Sequence, residues 1–154
     1  MLLLALFLLI AAPSRSQIVA KKSITLELAK RITSVAENEA KRNSWTMVIV
    51  VVDDGANLLY LERMDQTQIG SIDVAIGKAK TAVRFKRPSK AFEDMISNGR
   101  NAALGIPGVV PIEGGVPLFA DGQLIGAIGV SGGTSQQDGI VAKAGAAIVD
   151  SLAH

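Results

Sequence analysis

Trp45-Thr-Met-Val-Ile-Val-Val-Val52, Asp53-Asp-Gly-Ala-Asn57 and Leu58-Leu-Tyr-Leu-Glu-Arg63, read in succession, decide the fold. The first run is β-branched and almost unbroken in its apolarity, the pattern of a strand buried on both faces. Asp53 to Asn57 carries turn chemistry and Leu58 to Arg63 returns, so the three segments predict a β-hairpin. Downstream, Pro117-Leu-Phe119 and Leu124-Ile-Gly-Ala-Ile-Gly-Val130 flank Asp121-Gly122, a second hairpin with its turn signal in place. Gly126 and Gly129 inside that last strand remove side chains where a neighbouring element comes close.

Helical patterns surround the hairpins. Thr25 is the predicted N-cap of a helix whose inner stripe is Leu28, Ile32, Val35, Ala36 and Ala40. Ile72 to Val83 reads as a second helix, ended near Lys86-Arg87-Pro88, and Ser89 is predicted to cap a short third one through Ile96. Thr134 to Leu152 reads as the last, with Ile140, Val141, Ala144, Ala147, Ile148 and Leu152 facing inward. Between them residues 97–116 are broken by Gly99, Gly105, Pro107, Gly108, Pro111, Gly114 and Gly115, a loop of the length reserved for binding or for an interface. The order helix, hairpin, two helices, loop, hairpin, helix predicts an α+β domain with an antiparallel sheet.

The 154 residues suit one domain. Without cysteine there is no disulfide framework, thiolate metal site, cysteine nucleophile or thioether-attached haem. A net charge of +2 with no basic tract excludes a dedicated nucleic-acid binder. A lone terminal histidine, His154, excludes a Ser-His-Asp triad and a histidine zinc site.

Met1 to Ala12 is an unbroken apolar run, shorter than the roughly 20 residues that span a bilayer. Pro13 breaks it, and Ser14 and Ser16 supply small residues for cleavage before Gln17. Residues 1–16 are therefore predicted to be a secretory signal, with 17–154 as the single mature domain, periplasmic or secreted and without a membrane span after cleavage. A retained anchor and a buried N-terminal helix are the alternatives.

The segments Val51-Val-Asp53, Leu61-Glu-Arg-Met-Asp65, Lys78-Ala-Lys-Thr-Ala82, Gly114-Gly-Val-Pro117 and Asp121-Gly-Gln-Leu-Ile-Gly-Ala-Ile-Gly-Val-Ser-Gly-Gly133, in this order, resemble the GlcG/HbpS family of haem-binding-like proteins. The resemblance covers about residues 24 to 152 and implies a profilin-like five-stranded antiparallel sheet flanked by helices. It also implies a small-molecule ligand, with haem as the leading cofactor, and a homo-oligomer.

Strand alternation puts Arg63 and Asp65 on one side, where the guanidinium fork could anchor a ligand carboxylate or haem propionate; a structural ion pair is the alternative. Lys78 and Thr81 lie three apart on the second helix and face one cleft, Lys78 within the stripe of Val74, Ala75 and Ala82. Glu113-Gly114-Gly115 ends the long loop, and its glycines could turn a backbone N–H toward a ligand oxygen or simply form a bulge or turn entering the strand. Together Arg63, Asp65, Lys78, Thr81, Glu113, Gly114 and Gly115 are the candidate ligand site. For haem iron, Tyr60 and Met64 are the candidate ligands, with Met95 also available and Met47 assigned to the core. Two further readings stay open: proton transfer on a small carboxylic acid, with Lys78 or Glu113 acting and Arg63 holding the acid, and a structural homo-oligomer without ligand.

Overall fold

The computed structural model describes residues 20–151; the leader expected over 1–16, and Leu152 and His154 at the other end, lie outside them. Helix α1 forms over Leu26–Arg42, and the Thr25 hydroxyl accepts a hydrogen bond from the Leu28 N–H, as the capping rule requires. The first hairpin is β1 (Val48–Asp53) and β2 (Leu58–Arg63), closed by Asp53, whose carboxylate accepts from the Gly55 and Asn57 N–H groups. Helix α2 spans Ser71–Phe85 and α3 Lys90–Ser97; a short 3-10 helix, Asn101–Gly105, lies inside the long loop. The second hairpin joins β3 (Gly115–Ala120) to β4 (Gln123–Ser131) through Asp121 and Gly122, both at positive φ. Helix α4 closes the described chain over Ser135–Asp150 behind a capping box of Thr134 and Gln137.

The four strands make one antiparallel sheet in the order β2-β1-β4-β3. The five-stranded expectation is thus corrected to four: the residues between the hairpins go to two α-helices and a glycine- and proline-broken loop, which offers no ladder. β1 lies in the middle and is buried on both faces. Its alternation sorts the core into two layers. Ile49 and Val51 join Ile32, Ala36, Ile128 and Val141 beneath α1 and α4, while Val48, Val50 and Val52 join Ala75, Ala79 and Ala82 beneath α2. A methyl on Gly129 would lie 2.1 Å from the Ala75 carbonyl oxygen, so the glycine in β4 is what lets α2 cross the sheet so closely.

Two local expectations change. In α4, Ile140 and Ala147 are exposed, and the buried positions are Asp138, Gly139, Val141, Ala142, Gly145 and Val149. Small residues win the inner face because a Cβ on Gly145 would fall 2.8 Å from Ile128 and 3.0 Å from the Ile32 carbonyl. Ser89 precedes α3 but makes no side-chain cap; its hydroxyl donates to the Ile112 carbonyl at 2.6 Å and accepts from the Gly115 N–H at 2.9 Å. The buried loop end has backbone groups to satisfy, and these outrank the N–H groups of α3, which solvent can serve.

Candidate functional site

Lys78 is the largest fully buried side chain among the described residues, 1% exposed. It leaves α2 at the end of β4, where its ammonium donates to Asp138 Oδ2 at 2.6 Å and to the Val130 carbonyl at 3.1 Å. Asp138, in the first turn of α4, accepts the Gly133 N–H on its other oxygen at 3.0 Å. One ion pair therefore ties the helix on one face of the sheet to a helix on the other, around the sheet end. Burial pushes the Asp138 carboxyl above the ordinary aspartate range, against the pull of Lys78 and the Gly133 and Gly132 N–H groups.

The two glycines of the loop make room for this arrangement. A Cβ on Gly115 would fall 2.2 Å from the Lys78 carbonyl oxygen, and one on Gly114, at φ +128°, would meet the Val130 carbonyl at 2.6 Å and Lys78 Nζ at 3.0 Å. Three of their backbone groups are engaged: Gly115 N–H donates to Ser89, the Gly115 carbonyl accepts from Ser89 N–H, and the Gly114 carbonyl accepts from Val130 N–H. The Gly114-Gly115 pair is thus a seat for the lysine, with the Gly115 N–H turned to Ser89.

Glu113 lies just outside that seat, 6% exposed, and its carboxylate accepts from Lys143 of α4 at 2.9 Å. Gly139 permits the approach, since a Cβ there would sit 2.2 Å from Glu113 Oε1. Glu93 of α3 accepts the Glu113 N–H and the Ser135 hydroxyl, fastening the loop to α3 and α4. Between α3, the start of β3 and α4 this leaves a cleft of about 240 Å³. Its walls are apolar at Pro88, Ala91 and Val116, and Lys90 and Lys143 stand over it. A hydrogen bond from Lys90 to Asp94 raises the Lys90 pKa, so its ammonium stays charged.

Of the residues nominated by sequence, the structure brings together Lys78, Glu113, Gly114 and Gly115. Thr81 is nearby but committed: its hydroxyl donates to the Gly77 carbonyl and accepts from the Val110 N–H, both at 2.8 Å, pinning the long loop to α2. Arg63 and Asp65 stand elsewhere. Arg63 closes β2, opposite Val48, which in turn pairs with Ser131, so three strand spacings, about 14 Å, separate it from the β3 edge. Both residues are exposed, form no ion pair among the described residues, and Arg63 reaches only the Thr67 carbonyl at 3.5 Å. Within one chain, then, the constellation of Arg63 with Lys78 or Glu113 that proton transfer would need is not assembled.

The candidate iron ligands also lie along β2. Met64 Sδ accepts the Met47 N–H at 3.4 Å, and Tyr60 donates to Glu62 at 3.3 Å. Burial and the Glu62 charge raise the Tyr60 pKa, which opposes the phenolate form an iron ligand takes.

Asp138, Lys143, Glu93 and the true role of Ser89 escaped sequence reasoning. An acidic residue in a first helical turn is ordinarily an exposed complement to the helix dipole. The signal was the neighbourhood, since Asp138 is followed by Gly139 and falls one turn before Ala142 and two before Gly145, on a small-residue face.

A family model described as haem degrading protein HbpS-like matches residues 24–147. GlcG of Escherichia coli K12 is 43% identical over 111 residues, covering 72% of this chain and 83% of that one. A variant of Streptomyces reticuli HbpS superposes with a TM-score of 0.78 at 30% identity, covering 90% of this chain and 97% of that one. PduOC, solved as a heme complex, superposes with a TM-score of 0.76 at 27% identity, covering 84% and 96%. The four-stranded core, the ordered motifs and these matches agree: the chain belongs to the GlcG/HbpS family.

Proposed function

We propose that the protein binds a small anionic molecule of haem type in the cleft between α3, β3 and α4. The observation that carries this reading is the cleft itself: apolar walls with two ammonium groups over them, and Gly114 and Gly115 of its lining packed against the buried Lys78 of the Lys78–Asp138 pair. Lys90 and Lys143 would meet ligand carboxylates, exchanging Asp94 and Glu113 for the new partner. That PduOC was solved with heme, and that the family model is described by haem degradation, supports a tetrapyrrole as the ligand class.

The cleft fits the anionic edge of such a ligand and not its iron. Its lining contains no imidazole, thiol, thioether or phenol, the side chains that usually serve as axial ligands. Its volume also falls below the roughly 300–1,000 Å³ of pockets that enclose a drug-sized ligand, so a tetrapyrrole would protrude. Self-association would cover the protruding part, and Leu58 on β2 and Phe119 on β3 give both open sheet edges an exposed apolar side chain suited to it. Export completes the proposal, on the signal pattern of residues 1–16; sequencing the N-terminus of the protein recovered from outside the cytoplasm tests it by finding Gln17 first.

The test of binding is a haemin titration followed at the Soret band. Saturable binding weakened about tenfold by Lys143→Ala or Lys90→Ala, with an unchanged circular dichroism spectrum, is the expected result. A non-saturating response indifferent to both substitutions overturns the reading.

A further inference from the structure

A second cavity, of about 350 Å³, opens on another face of α3, where Phe92 and Met95 look toward the end of α2 and the 3-10 helix. Its floor is aromatic: Phe92 is 2% exposed, and the Phe85 ring meets it edge to face, centroids 5.1 Å apart at 68°. Met95, Ala103 and Ile106 complete the apolar lining. Two guanidinium groups border it. Arg87 lies over the Phe92 ring, 5.8 Å from the centroid, and Arg100 is also part of the lining.

The charges differ from those of the first cleft. There, Lys90 and Lys143 each have a carboxylate partner; here, among the described residues, neither Arg87 nor Arg100 makes an ion pair. Arg87 spends only its Nε–H, on the Phe85 carbonyl at 3.3 Å. The cavity therefore pairs planar cations that have no carboxylate partner among the described residues with an aromatic and thioether surface. Flat rings gain most from such a surface, by edge-to-face contact with phenylalanine and by sulfur contact at the ring edge. Guanidinium groups at its border recognise a planar carboxylate through two parallel hydrogen bonds.

We propose that this cavity is a binding site for a planar aromatic carboxylate of one or two rings. The volume lies near the lower limit of small-molecule pockets, in keeping with a ligand of that size. The site stands apart from the cleft of Glu113 and Lys143, and its test does not depend on haem.

The experiment labels the methionine methyl groups and follows their carbon-proton resonances while naphthoate is added. Met95 reports the cavity, and Met47 and Met64, on the other side of the sheet, serve as internal controls. Assignment by Met95→Leu removes the reporting signal. The expected result is a saturable shift of the Met95 resonance alone, weakened about tenfold in Arg87→Gln Arg100→Gln with the Met47 and Met64 signals unmoved. Naphthalene methanol, which keeps the rings and loses the charge, is expected to bind as weakly to the native protein as naphthoate does to the double variant. Lys143→Ala is expected to leave the naphthoate response in place. Three results would overturn the proposal: no saturable shift at Met95, equal responses to the acid and the alcohol, or a Met95 shift that follows protein concentration instead of naphthoate. The last would assign the cavity to a second copy of the chain.

Discussion

The sheet has two open edges, and they treat their polar residues in opposite ways. Along β3, Lys78 and Asp138 are withdrawn almost completely from water and joined across the sheet end, and Glu113 is buried against Lys143. Along β2, Arg63 and Asp65 stay in solvent, where screening leaves an ion little to gain from fixed partners. Buried charge needs geometry to survive, so the β3 edge is rigid and shaped; exposed charge needs none. A concave site with fixed polar groups can be built at the first edge, whereas the second offers a solvated rim.

The sharpest way to break that contrast is to strand one partner of the buried pair. Asp138→Asn leaves the Lys78 ammonium without a counter-charge, and the expected loss of stability is about 3–5 kcal/mol at neutral pH, read by denaturant unfolding. Lys78→Met with Asp138→Leu removes both charges and is expected to recover most of the loss, since a buried pair is replaceable by apolar volume more readily than by half of itself. If the single variant proves as stable as the native chain, the pair is not what holds the two helical layers together. Next in size is Gly115→Ala: its Cβ would press on the Lys78 carbonyl at 2.2 Å, and the strain is expected to cost about 1–3 kcal/mol. Thermal unfolding checks it, and a neutral result would show that α2 can retreat from the loop.

Legibility in the sequence follows the same division. Local rules sufficed for Thr25 as a cap, Asp53 to Asn57 and Asp121-Gly122 as turns, and Val48 to Val52 as a central strand, because each depends on neighbours a few residues away. Lys78 was legible as an inward-facing residue, from its place in the stripe of Val74, Ala75 and Ala82, but as a cleft-facing ligand residue and not as the buried partner of Asp138. Asp138 was not, because its meaning comes from a partner 60 residues earlier. Arg63 was grouped with Lys78 on type and motif alone; alternation tells which side chains share a face of one strand, but strand order decides which strands are neighbours. The fifth strand was implied by resemblance, and no fifth ladder-forming segment exists among the described residues.

The β2 edge has its own sensitivity, smaller and dependent on pH. Burial raises the Glu62 pKa above the ordinary glutamate value, and the nearby Glu37 carboxyl raises it further. A carboxyl raised in the folded state binds its proton more tightly than in the unfolded chain. Its contribution to stability is therefore complete below the unfolded pKa and is lost as pH rises through the folded one. Glu62→Gln, which cannot ionise, is expected to be spared that loss, so native and variant chains should diverge in unfolding midpoint as pH rises above the ordinary glutamate pKa, the native falling relative to the variant. Parallel curves would mean that neither burial nor the Glu37 carboxyl raises the Glu62 pKa in the folded chain.

The smallest expected effect is at Arg63, and it tells the most about assembly. Exposed, with a single 3.5 Å contact to the Thr67 carbonyl, its side chain can be removed with a change in stability within about 0.5 kcal/mol. For ligand binding the two edges give different answers according to how many chains build the site. If the β3 cleft is complete in one chain, Arg63→Ala leaves haemin affinity unchanged while Lys143→Ala lowers it. If a second copy brings its β2 edge to the cleft, both substitutions lower affinity, and the Arg63 effect fades on dilution as the copies separate, whereas the Lys143 effect persists. Comparing the two variants across protein concentration therefore separates a site within one chain from a shared one, because Arg63 can reach the cleft only from another molecule.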